Sequence, residues 1–479
     1  MLAMTLVSCL LVCIGAMVSS CGSKETQEEE KPDYDLVALA EAVEKYDYVG
    51  GFSDGLAMVA VGEIDIDEED DGNIIINGKL GFINKMGEEV IPLKYDWAKD
   101  FSDGLAAVAL NGKYGFVNTK GEEVVPLKYD NVKSFSEGLA EVWIGDWETG
   151  KRGFINKMGE QVIPLKYDYA EPFTDGFAKV GKYEIDEDGF IIDVKFGFIN
   201  KMGEEVIPLK YDYVGSFSEG LAGVNNGDNW GFVNTKGEEV THFKYDNDED
   251  SYSFSEGFAA VCKNYKWGFV NKEGEEVVPC KYDYASAFSE GLARVHMGDW
   301  RTGKWGFVNK KGEEVVPLKY DDAENFSEGL AAVALNGKLG FINKMGEEVI
   351  PLKYDAAADF SEGLAGVAVG EKNEYGYLLI DGKWGFINTK GEEVVPCKYD
   401  YASAFSDGLA KVRIGDWETG KWGFVNEKGE EVIPLKYDRI DDFSDGLALV
   451  RIGDWETGKW GYVDKEGNDT FSVSRGAKE

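Results

Sequence analysis

In Gly104-Leu105-Ala106-Ala107-Val108-Ala109-Leu110, apolar side chains alternate with positions that become Glu141 and Trp143 in the sibling segment Gly138 to Ile144, and Lys411 and Arg413 in Gly408 to Ile414. Alternation with a period of two marks a half-buried β-strand. A second short strand follows in Tyr114-Gly115-Phe116-Val117-Asn118. Asn118-Thr119-Lys120-Gly121 then suits a type I turn whose glycine sits at positive φ and forms a bulge. Glu122-Glu123-Val124-Val125-Pro126-Leu127-Lys128-Tyr129 supplies a third strand, with Pro126 marking an edge or the end of its pairing. The unit is predicted to be a three-stranded antiparallel meander, and Phe135-Ser136-Glu137-Gly138 turns the chain into the next one.

This unit fills the chain. Lys-Tyr-Asp recurs with its tyrosine at Tyr46, Tyr95, Tyr129, Tyr167, Tyr211, Tyr245, Tyr282, Tyr320, Tyr354, Tyr399 and Tyr437, eleven copies in 479 residues. Each is followed by Phe-Ser/Thr-Asp/Glu-Gly and then by a glycine-aromatic step such as Gly115-Phe116. Those step glycines lie from 34 residues apart (Gly81 to Gly115) to 45 apart (Gly340 to Gly385), so a short core unit accepts insertions. Self-similarity at a fixed period outranks chain length as a guide to architecture. The expected fold is all-β: a tandem array of eleven three-stranded meanders over residues 45–467. Closed propellers usually have about 4 to 8 four-stranded blades. An open superhelical, solenoid-like array held by nearest-neighbour contacts is therefore expected, with propeller-like closure of some repeats as the alternative. Residues 35–44 form a possible capping helix with Asp35 or Asp33 as N-cap, and residues 468–479 read as a loose tail.

Lys304-Trp305-Gly306-Phe307-Val308-Asn309-Lys310-Lys311-Gly312-Glu313 and its siblings resemble the WG repeat, a bacterial β-repeat family named for the Trp-Gly step. The resemblance covers Lys45 to Gly467. It implies an all-β repeat array without established enzymatic activity, and says little about a ligand. The residue before the glycine is large but varied: Leu80, Tyr114, Arg152, Phe196, Trp230, Trp267, Trp305, Leu339, Trp384, Trp422 and Trp460. Stacking on the neighbouring repeat and a ligand platform are both open readings of it.

The N-terminus carries a targeting pattern. Leu2 to Val18 is uncharged and mostly apolar, and Val18-Ser19-Ser20-Cys21-Gly22 resembles a bacterial lipobox, although no Lys or Arg precedes the apolar run. Residues 1–20 are read as a lipoprotein signal peptide, Cys21 as the lipidated residue, and residues 21–34 as an acidic tether. The expected location is the bacterial outer membrane, with surface exposure open.

Charge narrows the partners. A formal net charge of −39 opposes nucleic-acid binding, which needs Lys and Arg to displace counterions. It also opposes an anionic bilayer surface, which leaves the lipid as the only membrane contact. Cys262, Cys280 and Cys397 remain after the leader; they read as small buried side chains, with a Cys262–Cys280 pair open. No Cys-x-x-Cys is present and the two histidines are isolated, so no zinc site is expected and no metal ligands are assigned. Asp67-Glu68-Glu69-Asp70-Asp71-Gly72-Asn73 begins like a calcium loop, but Gly78 stands where a bidentate Glu is required; an acidic solvated loop is the better reading, with weak surface calcium binding left open. His242 and His296 replace a recurring proline and an arginine at ordinary repeat positions, so no nucleophile–base constellation is evident. The glutamate pairs such as Glu88-Glu89 recur in nearly every hairpin, unlike a single tuned acid/base pair. No catalysis and no cofactor are expected.

Function is expected where the repeats differ. Every long insertion falls between the first and second strands: 62–79, 181–195 and 370–383. A medium loop, Gly145 to Lys151, recurs at 298–304, 415–421 and 453–459. Regular stacking would project all of them from one side. Trp147, Trp300, Trp417 and Trp455 sit on these loops and are the candidate ligand-binding residues, either presented to a ligand or folded over their own hairpins. The expectation is an envelope-anchored scaffold for protein–protein interaction or adhesion; the alternative is a glycan or cell-wall binding module using the loop tryptophans.

Overall fold

The computed structural model describes residues 32–67, 73–146, 149–187, 190–246, 253–372, 379–454 and 457–476. They form eleven small antiparallel sheets, nine of four strands and two of three. These blades span 48–95, 97–129, 131–167, 169–211, 213–245, 254–282, 284–320, 322–354, 356–399, 401–437 and 439–464, numbered 1 to 11 below. They are arranged in a ring, as in an eleven-bladed propeller.

Two sequence expectations are corrected. The unit is mostly four-stranded because the chain enters the next blade just after Lys-Tyr-Asp, not at the Phe-Ser-Glu-Gly segment. The added strand is only two residues long in most blades, such as Trp97–Ala98, which pairs with Ala109 and Val108. Two residues are too few to print an alternating pattern. The Phe-Ser-Asp/Glu-Gly segment is a hairpin inside the blade. All eleven of its carboxylate residues have positive φ, as in Asp103 (58°) followed by Gly104 (79°). With Ser102 and Leu105 exchanging N–H···O bonds, this is a type I′ turn.

The second correction is the open array. Each blade's glycine-step phenylalanine packs on the turn phenylalanine of the next blade, as in Phe82 with Phe101 and Phe307 with Phe326, both at 4.9 Å between ring centroids. The series does not stop at blade 11: Tyr462 meets Phe52 of blade 1 at 4.9 Å. Its hydroxyl donates to the Gly50 carbonyl at 2.7 Å. The turn carboxylates make a second series. Asp54 accepts from Gly104 N at 2.8 Å, Glu219 from Gly257 N at 2.9 Å, and Asp445 of blade 11 from Gly55 N of blade 1 at 2.7 Å. First and last blades thus use the same contacts as interior neighbours. Closure, weighed for some repeats, extends to all of them.

Both ends of the array seal this seam. Asp35 caps helix α1 (Leu36–Val43), its carboxylate accepting from Val37 N and Ala38 N, and Asp35 N donates to Lys85 O of blade 1. The residues read as a loose tail instead carry helix α2 (Thr470–Gly476), which packs on α1. Blade 11 lacks a fourth strand, and the two helices occupy its place. In blade 2 the turn glycine Gly121 abuts Val90 and Ile91 on the fourth strand of blade 1, whereas Gly87 of blade 1 abuts Ala38 and Ala42 of α1.

Lys-Tyr-Asp is an interblade clasp. Its tyrosine is buried in most blades, and pairs with the residue before the step glycine, as Tyr129 with Tyr114. Its aspartate receives a lysine from the preceding blade and a backbone N–H from its own: Asp130 takes Lys113 Nζ at 2.5 Å and Gly145 N at 2.9 Å. The lysine bond, aided by the N–H, holds the Asp96 and Asp130 carboxyls below their ordinary range; Asp321, bonded to Lys304 and Asn336 N, is also lowered. Groups with depressed folded pKa values contribute stability above their unfolded pKa and lose it as acid protonates them. The melting temperature is therefore expected to fall as pH drops below about 4. A melting temperature that still rises down to about pH 2 would show that these clasps contribute little.

Candidate functional site

The turns at one end of every blade are uniform in length; the hairpins at the other end are not. They run from the Leu110-Asn111-Gly112-Lys113 turn to the long hairpin of blade 1, where Leu56–Asp67 pairs with Asn73–Asn84. Interblade contacts repeat around the ring, so these variable hairpins share one rim.

Just below this rim, one register position varies as much as the loops. The residue paired with the one before the step glycine is Ala60, Ala109, Trp143, Gly181, Asn225, Cys262, His296, Ala334, Ala368, Arg413 or Arg451 in blades 1 to 11. The large members, Trp143, His296, Arg413 and Arg451, occur in the four blades that carry the Gly-Asp-Trp loop. That coupling was visible in the sequence and was missed. It appears only when loop and strand are compared blade by blade.

Its basis is direct contact. In blade 10 the Arg413 guanidinium lies 3.8 Å from the Trp417 ring centroid and 5.1 Å from that of Trp422, with Tyr401 stacked edge-on against both indoles. In blade 7 His296 lies 5.3 Å from Trp300 and 4.9 Å from Trp305, with Tyr284 again alongside. The loop backbone is fixed. Asp416 accepts from Thr419 N at 2.6 Å and Thr419 Oγ1 at 2.9 Å, and Asp400 accepts from Gly415 N at 2.9 Å. A Cβ on Gly420 would come within 2.3 Å of Asp416 O, and one on Gly303 within 2.7 Å of Asp299 O and 2.4 Å of His296 Nε2, so the tight loop backbone requires that glycine.

Trp300 and Trp417 fold over their own hairpins, yet each remains 70% exposed. Trp147 and Trp455 lie outside the described residues, as do Cys21, the leader and the centre of the acidic 67–73 loop. Arg413 and His296 are buried, and Arg413 Nε and Nη1 and both His296 ring nitrogens have no hydrogen-bond partner. Burial lowers the pKa of His296 and disfavours the charge of Arg413.

Buried polar groups also lie in blades 3 and 4. Glu141 and Arg152 pair at 3.3 Å, and burial pushes the Glu141 carboxyl up to about 7 against the pull of Arg152. Lys179 rests 4.3 Å from the Tyr213 ring centroid and 4.9 Å from that of Phe196. The Glu141–Arg152 pair lies within blade 3, whereas Lys179 of blade 4 reaches Tyr213 of blade 5. Cys262, Cys280 and Cys397 are free thiols, and burial raises the Cys280 thiol to about 11, away from nucleophilic character. Among the described residues no group of three or more His, Cys, Asp or Glu could hold a metal. No helix among them is long and apolar enough to cross a membrane.

No functionally curated protein matches the chain. Among solved structures it is similar to the tricorn protease (12% identity, TM-score 0.26, covering 87% of this chain and 53% of that one). It is also similar to the extracellular domain of a putative one-component system from B. thetaiotaomicron (9% identity, TM-score 0.24, covering 88% and 81%). A third is apo AztD from Citrobacter koseri (14% identity, TM-score 0.25, covering 60% and 89%). The WG containing repeat matches residues 42–63, 81–114, 114–146, 153–183, 196–230, 230–267, 267–299, 305–338, 340–372, 384–416 and 422–454. With eleven copies closing one ring, this chain belongs to the WG-containing repeat family.

Proposed function

We propose that this protein is a non-catalytic display ring at a bacterial cell envelope, tethered by a lipid on Cys21, that holds a protein partner on its variable hairpin rim. One observation carries the reading: sequence and length variation concentrate on one rim, while the opposite turns and the interblade clasps repeat with little change. A ring whose interior contacts are this uniform leaves selectivity to its loops. A second reading, glycan binding, is supported by the 70% exposure of Trp300 and Trp417.

Pull-down from envelope extract is expected to recover a specific protein, lost when Gly415 to Lys421 is replaced by Asn-Gly. Recovery of the same proteins by both forms would count against the loop as the recognition element. For the anchor, detergent-phase partitioning is expected to disappear on Cys21→Ala. Partitioning that persists in this variant would refute lipidation there.

A further inference from the structure

Seven arginines occur in a chain of net charge −39, and Arg413, Arg439 and Arg451 lie in the adjacent blades 10 and 11. Arg439 and Arg451 are register partners, an arrangement that like charges make unfavourable in a sheet. Arg413 is 4% exposed, and two of its nitrogens have no acceptor. Burying a charged donor without an acceptor costs stability. The fold does not require that cost, because blade 8 solves the same hairpin with Ala334 and the tight turn Leu335-Asn336-Gly337-Lys338. There Asn336 N reaches Asp321 at 2.6 Å just as Gly415 N reaches Asp400 at 2.9 Å.

Blade 10 thus keeps a guanidinium beneath an indole whose outer surface faces solvent; the Asp400 and Asp416 carboxylates stabilise its charge from nearby, yet Nε and Nη1 have no acceptor. A flat exposed indole suits the apolar face of a sugar ring, and a guanidinium suits a carboxylate in bidentate geometry. We infer that Trp417, Arg413, Trp422 and Tyr401 form a binding site for a carboxylate-bearing sugar, a uronic-acid type residue of an acidic glycan. The Trp417 side chain covers the guanidinium. It turns aside to admit the carboxylate and then stacks on the sugar ring. This inference rests on the reading of the hairpin rim as the recognition surface, and supplies that rim with a second kind of ligand.

The test uses the purified ring in calcium-free buffer with pentagalacturonic acid and its fully methyl-esterified counterpart as probes, followed by calorimetry and tryptophan fluorescence. The acid is expected to bind and the neutral ester to bind roughly tenfold or more weakly. Arg413→Ala and Trp417→Ala are each expected to weaken the acid by about 10- to 100-fold. To separate binding from folding, residues 413–421 are also replaced by the blade 8 sequence Ala-Leu-Asn-Gly-Lys, a solution this fold already contains. This graft is expected to melt as the parent does and to lose binding. No binding of the acid, equal binding of acid and ester, or undiminished binding by the graft would each overturn the inference. Loop-dependent protein capture without acid binding would leave the display reading standing. Acid binding without protein capture would do the reverse.

Discussion

Tyr462→Ala is expected to destabilise the protein by about 4 kcal/mol, the usual cost of removing a large buried aromatic side chain. Tyr462→Phe is expected to cost only about 1 kcal/mol, for the lost hydrogen bond to Gly50 O. In an open array Tyr462 would lie at a free end, half exposed, and its truncation would be nearly neutral. In the ring it is completely buried and touches Phe52, about 410 residues earlier in sequence as the bond to Gly50 attests. An interior equivalent, Phe307→Ala, supplies the internal standard, because Phe307 makes the same contact with Phe326 at 4.9 Å. Denaturant unfolding of the three variants distinguishes the cases. Similar losses for Tyr462→Ala and Phe307→Ala are expected, whereas a loss at Phe307 alone would mean that the seam is open.

The second large effect concerns two kinds of glycine. At Gly115 a Cβ would lie 2.3 Å from Val125 O and 2.9 Å from Pro126 C, both backbone atoms of the adjacent strand. Neither can move without displacing the blade's fourth strand, and Gly115→Ala is expected to cost about 3 kcal/mol or more. At Gly138 nothing lies within 4 Å, but φ is +88°. There the penalty is conformational alone, and Gly138→Ala is expected to cost about 1 kcal/mol. Circular dichroism during chemical unfolding measures both. Equal costs would mean that the step glycine is kept for backbone freedom instead of close approach.

What the sequence disclosed, and what it hid, follows from the range of each interaction. Strand alternation in Leu105–Leu110 and the bulged Asn118-Thr119-Lys120-Gly121 turn depend on neighbours within a few residues. They are printed locally, and the turn has Gly121 at φ +77°. Closure was not legible. It depends on Phe52 meeting Tyr462 and on Asp445 reaching Gly55, pairs that look in sequence like any other copy of the repeat. The two-residue strands were too short to carry a period, so the blade boundary was drawn at the wrong turn. At the site, the loop tryptophans stood out as departures from the repeat. Arg413 and His296 did not, because each is a single residue on a strand and its link to the covering loop emerges only when the blades are compared with one another.

Glutamate at positive φ shows the same division. Glu137 (50°), Glu219 (52°) and Glu290 (52°) adopt a conformation that costs an L-residue with a long side chain roughly 1 to 2 kcal/mol. The ring offsets that strain: Glu137 accepts from Gly176 N of the next blade at 3.0 Å and pairs with Lys201 at 3.1 Å. Hydrogen bonds from that lysine and that amide lower the Glu137 carboxyl despite the opposing effect of burial, so it stays ionised near neutral pH. The repeated acidic residue of this motif is thereby a structural link between blades.

The central claim is a closed ring whose variable hairpins share one rim, and electron microscopy of the single particles tests it most directly. Class averages viewed down the axis should show a continuous ring of eleven sectors, with the longer hairpins of blades 1, 4 and 9 extending from one side in edge-on views. An open arc, a superhelix, or long hairpins divided between the two sides would contradict it.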